Sequence, residues 1–246
     1  MTPPSWTCSQ PFVMPAREIA PGLVIQHFEA PLNLRSFKAI AFDMDSTLIS
    51  IECIDEIADV VGKKAEVAAI TEAAMRGEIT DFQDSLRRRV ALLKGVPAAS
   101  LHEVYESRLR INPGAHKLIE AAKAAGLQTL LVSGGFTFFA DRVRDTLGMH
   151  EAHSNVLEVQ DGLLTGHVLG PIVDGEAKKQ HLLKLCARIG CAPSQAIAVG
   201  DGANDLPMMG VAGLSVAYHA KPKVREQAMV AINTGGLDRV LEVVTP

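Results

Sequence analysis

The sequence predicts an α/β fold with a doubly wound, mainly parallel sheet and an inserted helical cap. Short apolar runs alternate with helical patterns along most of the 246 residues, polar clusters follow several of these runs, and one long stretch is helical throughout. Alternating strands and helices indicate a parallel sheet covered on both faces, in which ligands bind at the carboxyl ends of the strands.

Five apolar runs are predicted as strands. The run 37–42 (FKAIAF) is typical of a central buried strand, because it is short, apolar and followed at once by acidic residues. The five strands are 37–42, 129–132, 196–199, 214–217 and 229–232. Helical patterns follow or separate them at 113–125, 138–147, 177–189, 224–228 and 237–244.

Residues 51–111 interrupt the alternation with helical segments at 51–61, 64–76, 81–93 and 98–109. We therefore predict a helical cap at 51–111, inserted into an α/β core that comprises 36–50 and 112–246. Residues 1–35 contain several prolines and are predicted to be an irregular leader. Residues 155–168 are predicted to form a hairpin that turns at Asp161-Gly162.

Composition and charge argue against nucleic acid and membranes as binding partners. Hydrophobic residues make up 48% of the chain, which is ordinary for a globular protein. The formal charge of -4 argues against nucleic acid or an anionic membrane as a partner, and no segment has the roughly 20 apolar residues of a membrane span. Four scattered cysteines without metal-site spacing fit reduced thiols in the cytoplasm.

Two acidic motifs follow predicted strands. Asp43-Met44-Asp45-Ser46-Thr47 follows the first, and residues 200–205 (GDGAND) follow the third. Two carboxylates one residue apart are costly to bury without a counter-charge, and the second motif adds oxygen ligands of the kind that magnesium prefers. Taken alone, each motif also fits an ordinary loop or a helix cap.

A third and a fourth element complete an ordered set: Ser133-Gly134-Gly135 after the second strand, and Lys178 near the start of a helix. In this order the four elements resemble the haloacid-dehalogenase-like (HAD) phosphatase superfamily, over roughly residues 36–235. The resemblance implies a HAD-like Rossmannoid core, a small phosphomonoester substrate and Mg²⁺ as cofactor. Without that order, a solvated lysine would be the simpler interpretation of Lys178.

The resemblance also implies roles for the acidic residues. Asp43 would attack phosphorus to form an aspartyl-phosphate, and Asp45 would protonate the leaving oxygen and later activate water. The metal would be held by Asp43, the backbone carbonyl of Asp45 and Asp201. Asp205 would lie behind these ligands and orient a metal-bound water or the lysine.

Phosphate binding is expected to use the remaining motif residues. Ser133 and the backbone amides of Gly134 and Gly135, predicted to open a helix, would hold phosphate oxygens. Asn204 would add a hydrogen bond. Mg²⁺ and Lys178 together would cancel the repulsion between the phosphate and Asp43, which is about 4 kcal/mol per pair of unit charges at 4 Å and an effective dielectric near 20.

Residues 43–57 and 82–90 resemble the members of this superfamily that hydrolyse O-phosphoserine. By that resemblance, Glu52 would bind the substrate ammonium, Arg89 its carboxylate, and Phe82 would form an apolar wall. The pocket then offers one anion, one bidentate cation and a phosphate site, as phosphoserine requires. Glu52 also fits an ordinary first-turn glutamate, and the arginines fit a solvated helix face.

The leading hypothesis is a phosphatase that completes phosphorylated serine biosynthesis. A second hypothesis keeps the chemistry and changes the substrate, to a compound such as phosphohomoserine, or changes the acceptor, as in a phosphotransferase. A third, a catalytically silent binding module, predicts missing catalytic groups, whereas Asp43, Asp45, Ser133, Lys178 and Asp201 are all present. The sequence is compatible with a monomer or a homodimer.

Overall fold

A nine-stranded sheet forms the centre of the protein in the computed structural model, which describes residues 15–75 and 79–245. The strands are β1 (Arg17–Ala20), β2 (Leu23–Ile25), β3 (Leu32–Asn33), β4 (Ala39–Phe42), β5 (Gln128–Phe136), β6 (Glu151–Gln160), β7 (Leu163–Leu169), β8 (Ala196–Gly200), β9 (Leu214–Tyr218), β10 (Val230–Ile232) and β11 (Val244–Thr245). Their order in the large sheet is β1-β2-β10-β9-β8-β4-β5-β6-β7, and β3 pairs with β11 separately.

The middle of the large sheet is parallel, from β10 through β9, β8, β4 and β5 to β6. Antiparallel pairs occur only at its two ends, where β2 pairs with β1 and β10, and β7 pairs with β6. The predicted fold class, a mainly parallel α/β sheet, is confirmed. Strand β4 lies between β5 and β8, so that its carboxyl end is at the centre of the sheet edge where ligands bind.

The helices are α1 (Cys53–Val60), α2 (Lys64–Met75), α3 (Phe82–Ala91), α4 (Ala99–Glu103), α5 (Ala115–Ala124), α6 (Thr137–Leu147), α7 (Gly175–Ile189), α8 (Leu206–Met209) and α9 (Pro222–Gln227). None of the helices within residues 15–75 and 79–245 combines the length and apolarity needed to cross a bilayer.

Both faces of the sheet are buried, as β4 illustrates. Ile40 and Phe42 belong to one apolar cluster, and Ala39 and Ala41 belong to the other. All four are fully buried. Because successive side chains of a strand point to opposite faces, this run packs against helices on both sides and is apolar at every position.

Two terminal segments differ from the predictions. The leader is not irregular throughout, because residues 17–25 form the hairpin β1–β2, in which Leu23 and Ile25 are fully buried. This strand was missed because it has only three residues. Residues 1–14 lie outside the described part of the chain. The predicted helix 237–244 is instead a 3-10 segment, Leu237–Glu242, followed by β11.

The region predicted as the cap is helical, with α1 to α4 and a π-helical turn at Val104–Arg108 between β4 and β5. Its two connections to the sheet run side by side and are joined by a bridge between Ile49 and Ile111. The Asn112 side chain donates to the backbone oxygens of Thr47 (2.8 Å) and Ile49 (3.0 Å). The division of the chain into a cap and a core stays a prediction.

Candidate active site

Asp43 follows β4 directly and is buried, at 6% exposure. The chain then makes a tight turn over Met44–Leu48, closed by a hydrogen bond from the Ile49 N–H to the Met44 carbonyl (3.1 Å). Within this turn Ser46 has a φ of 57°, an uncommon conformation for a residue with a side chain. The turn keeps both Asp43 and Asp45 at the end of the strand.

Three carboxylates converge beside this turn. Oxygen atoms of Asp43, Asp201 and Asp205 all lie within 4.8 Å of one another. The sheet explains the first contact, because β4 pairs in parallel with β8 and aligns Phe42 with Val199. The residues that follow these two strands therefore meet at the same edge, as the sequence predicted.

Lys178 supplies the positive charge of this cluster. Its Nζ atom donates to Oδ1 of Asp43 (2.6 Å) and to Oδ1 of Asp205 (2.7 Å), and the lysine is fully buried. Burial alone would lower the pKa of Lys178, but the charges of Asp205 and Asp43 outweigh it and raise the pKa. The lysine is therefore ionised at neutral pH.

The remaining negative charge fits a divalent cation. Burial raises the pKa of Asp43, Lys178 opposes this effect, and repulsion from Asp205 and Asp201 adds to it. Burial and the charge of Asp205 also raise the pKa of Asp201 to about 7. Carboxylate oxygens at this spacing are suitable ligands for a hard cation, which would relieve the repulsion.

Asp205 is held by its surroundings on both oxygens. Oδ1 accepts from Lys178, while Oδ2 accepts from the backbone N–H groups of Asp201 (3.1 Å) and Gly202 (3.0 Å). A Cβ atom at Gly200 would collide with the Asp205 carboxyl group. The glycine is thus required for Asp205 to reach this position, where it supports the lysine and the loop that carries Asp201.

Asp45 has a different environment. Among the described residues, its Oδ1 atom is a buried side-chain oxygen without a hydrogen-bond partner. Burial raises the pKa of Asp45 to about 8, and the nearby charge of Glu52 contributes to the rise. Asp45 is therefore mostly protonated at neutral pH, as a proton donor must be.

The Ser133-Gly134-Gly135 motif lies beside Asp45. Ser133 is buried, and its Oγ atom accepts from the Gly135 N–H (2.9 Å). The two glycines do not open a helix, which was the prediction, because β5 continues to Phe136 and α6 begins at Thr137. A Cβ atom at Gly135 would lie 3.0 Å from Oδ2 of Asp45, so that only a glycine leaves this approach open.

Helix α3 lies over the same motif. A Cβ atom at Gly134 would lie 2.9 Å from Cζ of Phe82, which shows that the aromatic ring packs directly on this glycine. Arg89, two turns further along α3, is half-buried. Burial lowers the pKa of Arg89, while the charges of Asp55 and Glu52 oppose that effect.

Glu52 is the residue immediately before α1, and its side chain does not cap that helix. Its Oε1 atom accepts from the Ser46 hydroxyl (2.6 Å). Although Glu52 retains solvent exposure, the protein atoms around its carboxyl group raise its pKa, and the hydrogen bond from Ser46 partly offsets this. The charges of Glu52 and Arg89 each oppose the effect of burial on the pKa of the other, so the two side chains lie near one another.

Asn204 belongs to a 3-10 turn, Ala203–Asp205, and is half-buried. Its backbone oxygen would lie 2.8 Å from a Cβ atom at Gly175, the first residue of α7. The turn therefore packs closely on the helix that carries Lys178, and Asn204 immediately precedes Asp205, which accepts from that lysine.

Sequence reasoning missed several residues that support the site. Thr47 donates to Oδ1 of Asp201 (3.2 Å), and Ser46 holds Glu52 as described. Both belong to the first acidic motif, and their hydroxyl groups, next to two carboxylates, could have indicated that they hold acidic side chains of the site. Asn155 and Gln83 also form long-range hydrogen bonds near the site, but nothing in their sequence context indicates it.

Comparison with known proteins agrees with this geometry. The sequence model of the family described as haloacid dehalogenase-like hydrolase matches residues 40–210. The chain belongs to this family. The matched range contains the acidic cluster, Lys178 and the Ser133-Gly134-Gly135 motif, so the family assignment covers the whole site.

Within the haloacid dehalogenase-like hydrolases, the chain is similar to several phosphoserine phosphatases. It is 67% identical to that of Polaromonas sp., over 94% of this chain and 100% of the relative. It is 62% identical to that of Albidiferax ferrireducens, over 93% and 98%. The solved structure of a phospho-aspartyl intermediate analogue of phosphoserine phosphatase matches with a TM-score of 0.79 and 39% identity, covering 85% of this chain and 99% of that chain.

Proposed function

We propose that this hydrolase converts O-phosphoserine to serine and phosphate through an aspartyl-phosphate on Asp43, with Mg²⁺ as its cation. The observation that carries the proposal is that Ser46, in the turn after Asp43, holds Glu52 beside the acidic cluster, while α3, which carries Arg89, packs through Phe82 on Gly134. The similar phosphoserine phosphatases support the same substrate. The reaction would be the last step of phosphorylated serine biosynthesis.

The chemistry follows from the protonation states of two carboxyl groups. Lys178 fixes the Asp43 carboxylate through Oδ1, and Asp43 attacks the phosphorus atom. Asp45, whose pKa is raised to about 8, gives its proton to the departing serine oxygen. The ionised Asp45 then takes a proton from the water that attacks the aspartyl-phosphate, which releases phosphate and restores both groups.

The phosphate and the cation share one site. Asp43, Asp201 and the backbone carbonyl of Asp45 would hold Mg²⁺, with Asp205 behind them. When bound, the cation supplies positive charge that lets the substrate phosphate approach the Asp43 carboxylate. Hydrogen bonds to the phosphate oxygens come from Ser133, from the amides of the following glycines, from Lys178 and from Asn204.

The amino-acid part of the substrate lies between α1 and α3. Glu52 pairs with its ammonium group, Arg89 with its carboxylate, and Phe82 covers its apolar side. Because Glu52 and Arg89 are charged and would pair with the ammonium and the carboxylate, a substrate that lacks the amino acid loses both of these contacts. The cysteines of the described part, Cys53, Cys186 and Cys191, are free thiols, which fits the cytoplasmic location that we propose.

The proposal is tested with a panel of phosphomonoesters and the purified protein. Phosphate release is measured for O-phosphoserine, O-phosphohomoserine and p-nitrophenyl phosphate, with Mg²⁺ or a chelator and with or without an acceptor alcohol. We expect the highest kcat/KM for phosphoserine, loss of activity with chelator, and no activity for a folded Asp43→Asn variant. Faster turnover of another ester, or transfer to the alcohol in preference to water, would refute the assignment.

A further inference from the structure

One carboxylate joins the beginning of α3 to the beginning of α7. Asp174 is the N-cap residue of α7, and its Oδ1 atom accepts from the Ala177 N–H (2.9 Å). Its Oδ2 atom accepts from the side-chain amide of Gln83 (2.7 Å), the second residue of α3. The two residues are 91 positions apart in the chain, so this contact exists only in the folded protein.

The α7 side of this contact leads directly to Lys178. The Lys178 N–H donates to the Asp174 backbone oxygen (2.9 Å). This is the first hydrogen bond of α7, and it joins the lysine directly to the capping residue. Its Nζ atom then holds Asp43. Asp174 therefore has a fixed position relative to the ammonium group that orients Asp43, and α7 is the reference against which α3 is set.

A buried asparagine restrains the preceding residue. Asn155 is 1% exposed, its Oδ1 atom accepts from the Val173 N–H (2.8 Å), and its Nδ2 atom donates to the Gly134 oxygen (2.8 Å). The hydrogen bond with Val173 is buried and the one with Gly134 is partly buried, so both are shielded from competing water. The segment before α7 is therefore tied to the Ser133-Gly134-Gly135 motif, so Asp174 is held in place and a change at its contact with Gln83 displaces α3 instead.

The α3 side of the contact leads to the groups assigned to the amino-acid part of the substrate. Phe82 precedes Gln83, and Arg89 follows two turns later. Beyond the far end of α3, backbone hydrogen bonds connect Gly95 and Val96 with Leu164 of β7 (2.8 Å each). The near end of the helix is joined to α7 through Gln83.

We propose that Gln83 is a positioning residue that sets α3, with its substrate-binding side chains, relative to α7 and its catalytic Lys178. This inference rests on the proposed function, since it assigns α3 to the amino-acid part of the substrate. Burial alone would raise the pKa of Asp174, but hydrogen bonds from the Ala177 N–H and from Gln83 outweigh it and lower the pKa. Asp174 is thus ionised, and its bond with Gln83 is stronger than one between neutral groups.

The test exchanges donor and acceptor. Gln83→Glu places a second carboxylate against Asp174, and we expect kcat/KM for phosphoserine to fall about tenfold or more. We expect turnover of p-nitrophenyl phosphate to fall less than about threefold, because this ester has no carboxylate for Arg89 of α3 to bind. Adding Asp174→Asn restores phosphoserine turnover, because the asparagine amide donates to the introduced carboxylate and its side-chain oxygen still caps α7.

A matched control uses a glutamine on α7. Gln180 donates to Glu176 (2.8 Å) on the exposed side of the same helix, so Gln180→Glu creates a similar pair of carboxylates without reaching α3. We expect its kinetics to equal those of the wild type. Thermal unfolding of every variant verifies that the compared proteins are folded.

Wild-type activity on phosphoserine is measured first, so that failure of the proposed function is recognised separately. With that activity present, unchanged kinetics of Gln83→Glu, equal losses on both substrates, or no rescue by Asp174→Asn would each overturn the inference. If Gln83→Glu does not fold, Gln83→Met serves in the same comparison of substrates; it removes the hydrogen bond to Asp174 and the longer, exposed one that Gln83 accepts from Arg87 (3.3 Å).

Discussion

The Nζ atom of Lys178 lies 2.6 Å from Oδ1 of Asp43, and both side chains are buried. The lysine lies in the first turns of α7 and the aspartate follows the end of β4. The two residues are 135 positions apart in the chain. Asp205 accepts from the same ammonium group at 2.7 Å. Because one lysine pairs with two carboxylates, its charge reduces the repulsion between them. The same charge reduces the repulsion between these carboxylates and an anionic substrate.

Replacing Lys178 by methionine removes this charge and keeps the length of the side chain. We expect the free energy of unfolding to fall by about 3–5 kcal/mol, because unpaired buried carboxylates remain, and activity to fall beyond detection. Urea denaturation and phosphate release measure the two effects. Lys179→Met, which removes an exposed pair with Glu176, serves as the control and changes the unfolding free energy by less than about 1 kcal/mol. Equal stability of the two variants would contradict the prediction.

Replacing Arg89 by alanine tests the proposed carboxylate site. Loss of a charge-assisted contact corresponds to an increase in KM for phosphoserine of about 10- to 100-fold, whereas KM for p-nitrophenyl phosphate changes little. The control is Arg88→Ala, since Arg88 is exposed and pairs with Asp84 within the same helix. Equal increases for both esters in the Arg89→Ala protein would rule out the assignment.

The raised pKa of Glu52 predicts a pH dependence of substrate binding. The surrounding protein atoms raise this pKa above the ordinary 4.5, so the carboxyl group takes up its proton at a higher pH than a free glutamate. Only the ionised form attracts an ammonium group. KM for phosphoserine should therefore rise as the pH falls through the raised pKa, in excess of any change seen with p-nitrophenyl phosphate.

Glu52→Gln is the matching variant for this pH series. We expect it to have a high KM for phosphoserine at every pH, without the additional rise at low pH. If wild type and variant have parallel profiles, Glu52 is not the titrating group.

The lowered pKa of His181, a residue that is not part of the acidic cluster, predicts that the stability of the protein depends on pH. Its ring stacks on that of His153, with centroids 4.1 Å apart. Burial, followed by the charge of His153, lowers the pKa of His181 from 6.5 to about 4. Between these values the unfolded chain binds a proton that the folded protein does not, so stability is lost as the pH falls from 6.5 towards 4.

The size of this loss is on the order of 1 kcal/mol, since part of the ring faces solvent. Chemical denaturation at several pH values measures it. His181→Gln should flatten the curve over this window, while His116→Gln, at an exposed position, should keep it. An unaltered curve for His181→Gln would disprove the contribution.

The hydrogen bonds of Asn112 connect the two chain segments that lead into and out of the helical region, and we expect them to affect catalysis. Its side chain donates to the Thr47 and Ile49 carbonyls, which belong to the turn after Asp43 and its continuation. Asn112→Leu leaves both acceptors without this donor, and we expect unfolding to become easier by about 1–3 kcal/mol. Because the turn carries Asp45, kcat should fall as well, while KM changes less. A variant with reduced stability but the wild-type kcat would show that the asparagine supports only the fold.

Much of the fold could be predicted from local pattern. The run at 37–42 is apolar at nearly every position because both of its faces are covered, and this property identified β4 as a central strand. The β1–β2 hairpin could not be predicted in the same way. Its buried strand, β2, is three residues long, and it pairs with β10, a contact between distant parts of the chain.

The candidate site divides similarly. Asp43, Asp45, Asp201 and Lys178 were found because chemically unusual residues follow apolar runs in a fixed order. The contact between Gln83 and Asp174 was not, because a glutamine near the start of an amphipathic helix is ordinary in sequence. Gly134 and Gly135 were found as part of the motif but were placed in a helix, since the continuation of β5 depends on its pairing with β6.

The amino-acid sequence alone determined which chemical groups the protein has and which of them follow strands, because burial and periodicity are imposed locally. Tertiary structure decided how these groups act on one another. The register between β4 and β8 brings Asp43 and Asp201 together, and the packing of α7 buries Lys178 among them. Electrostatic energies and hydrogen bonds depend on distance and on exclusion of water, and for residues far apart in the chain these are set by the folded structure.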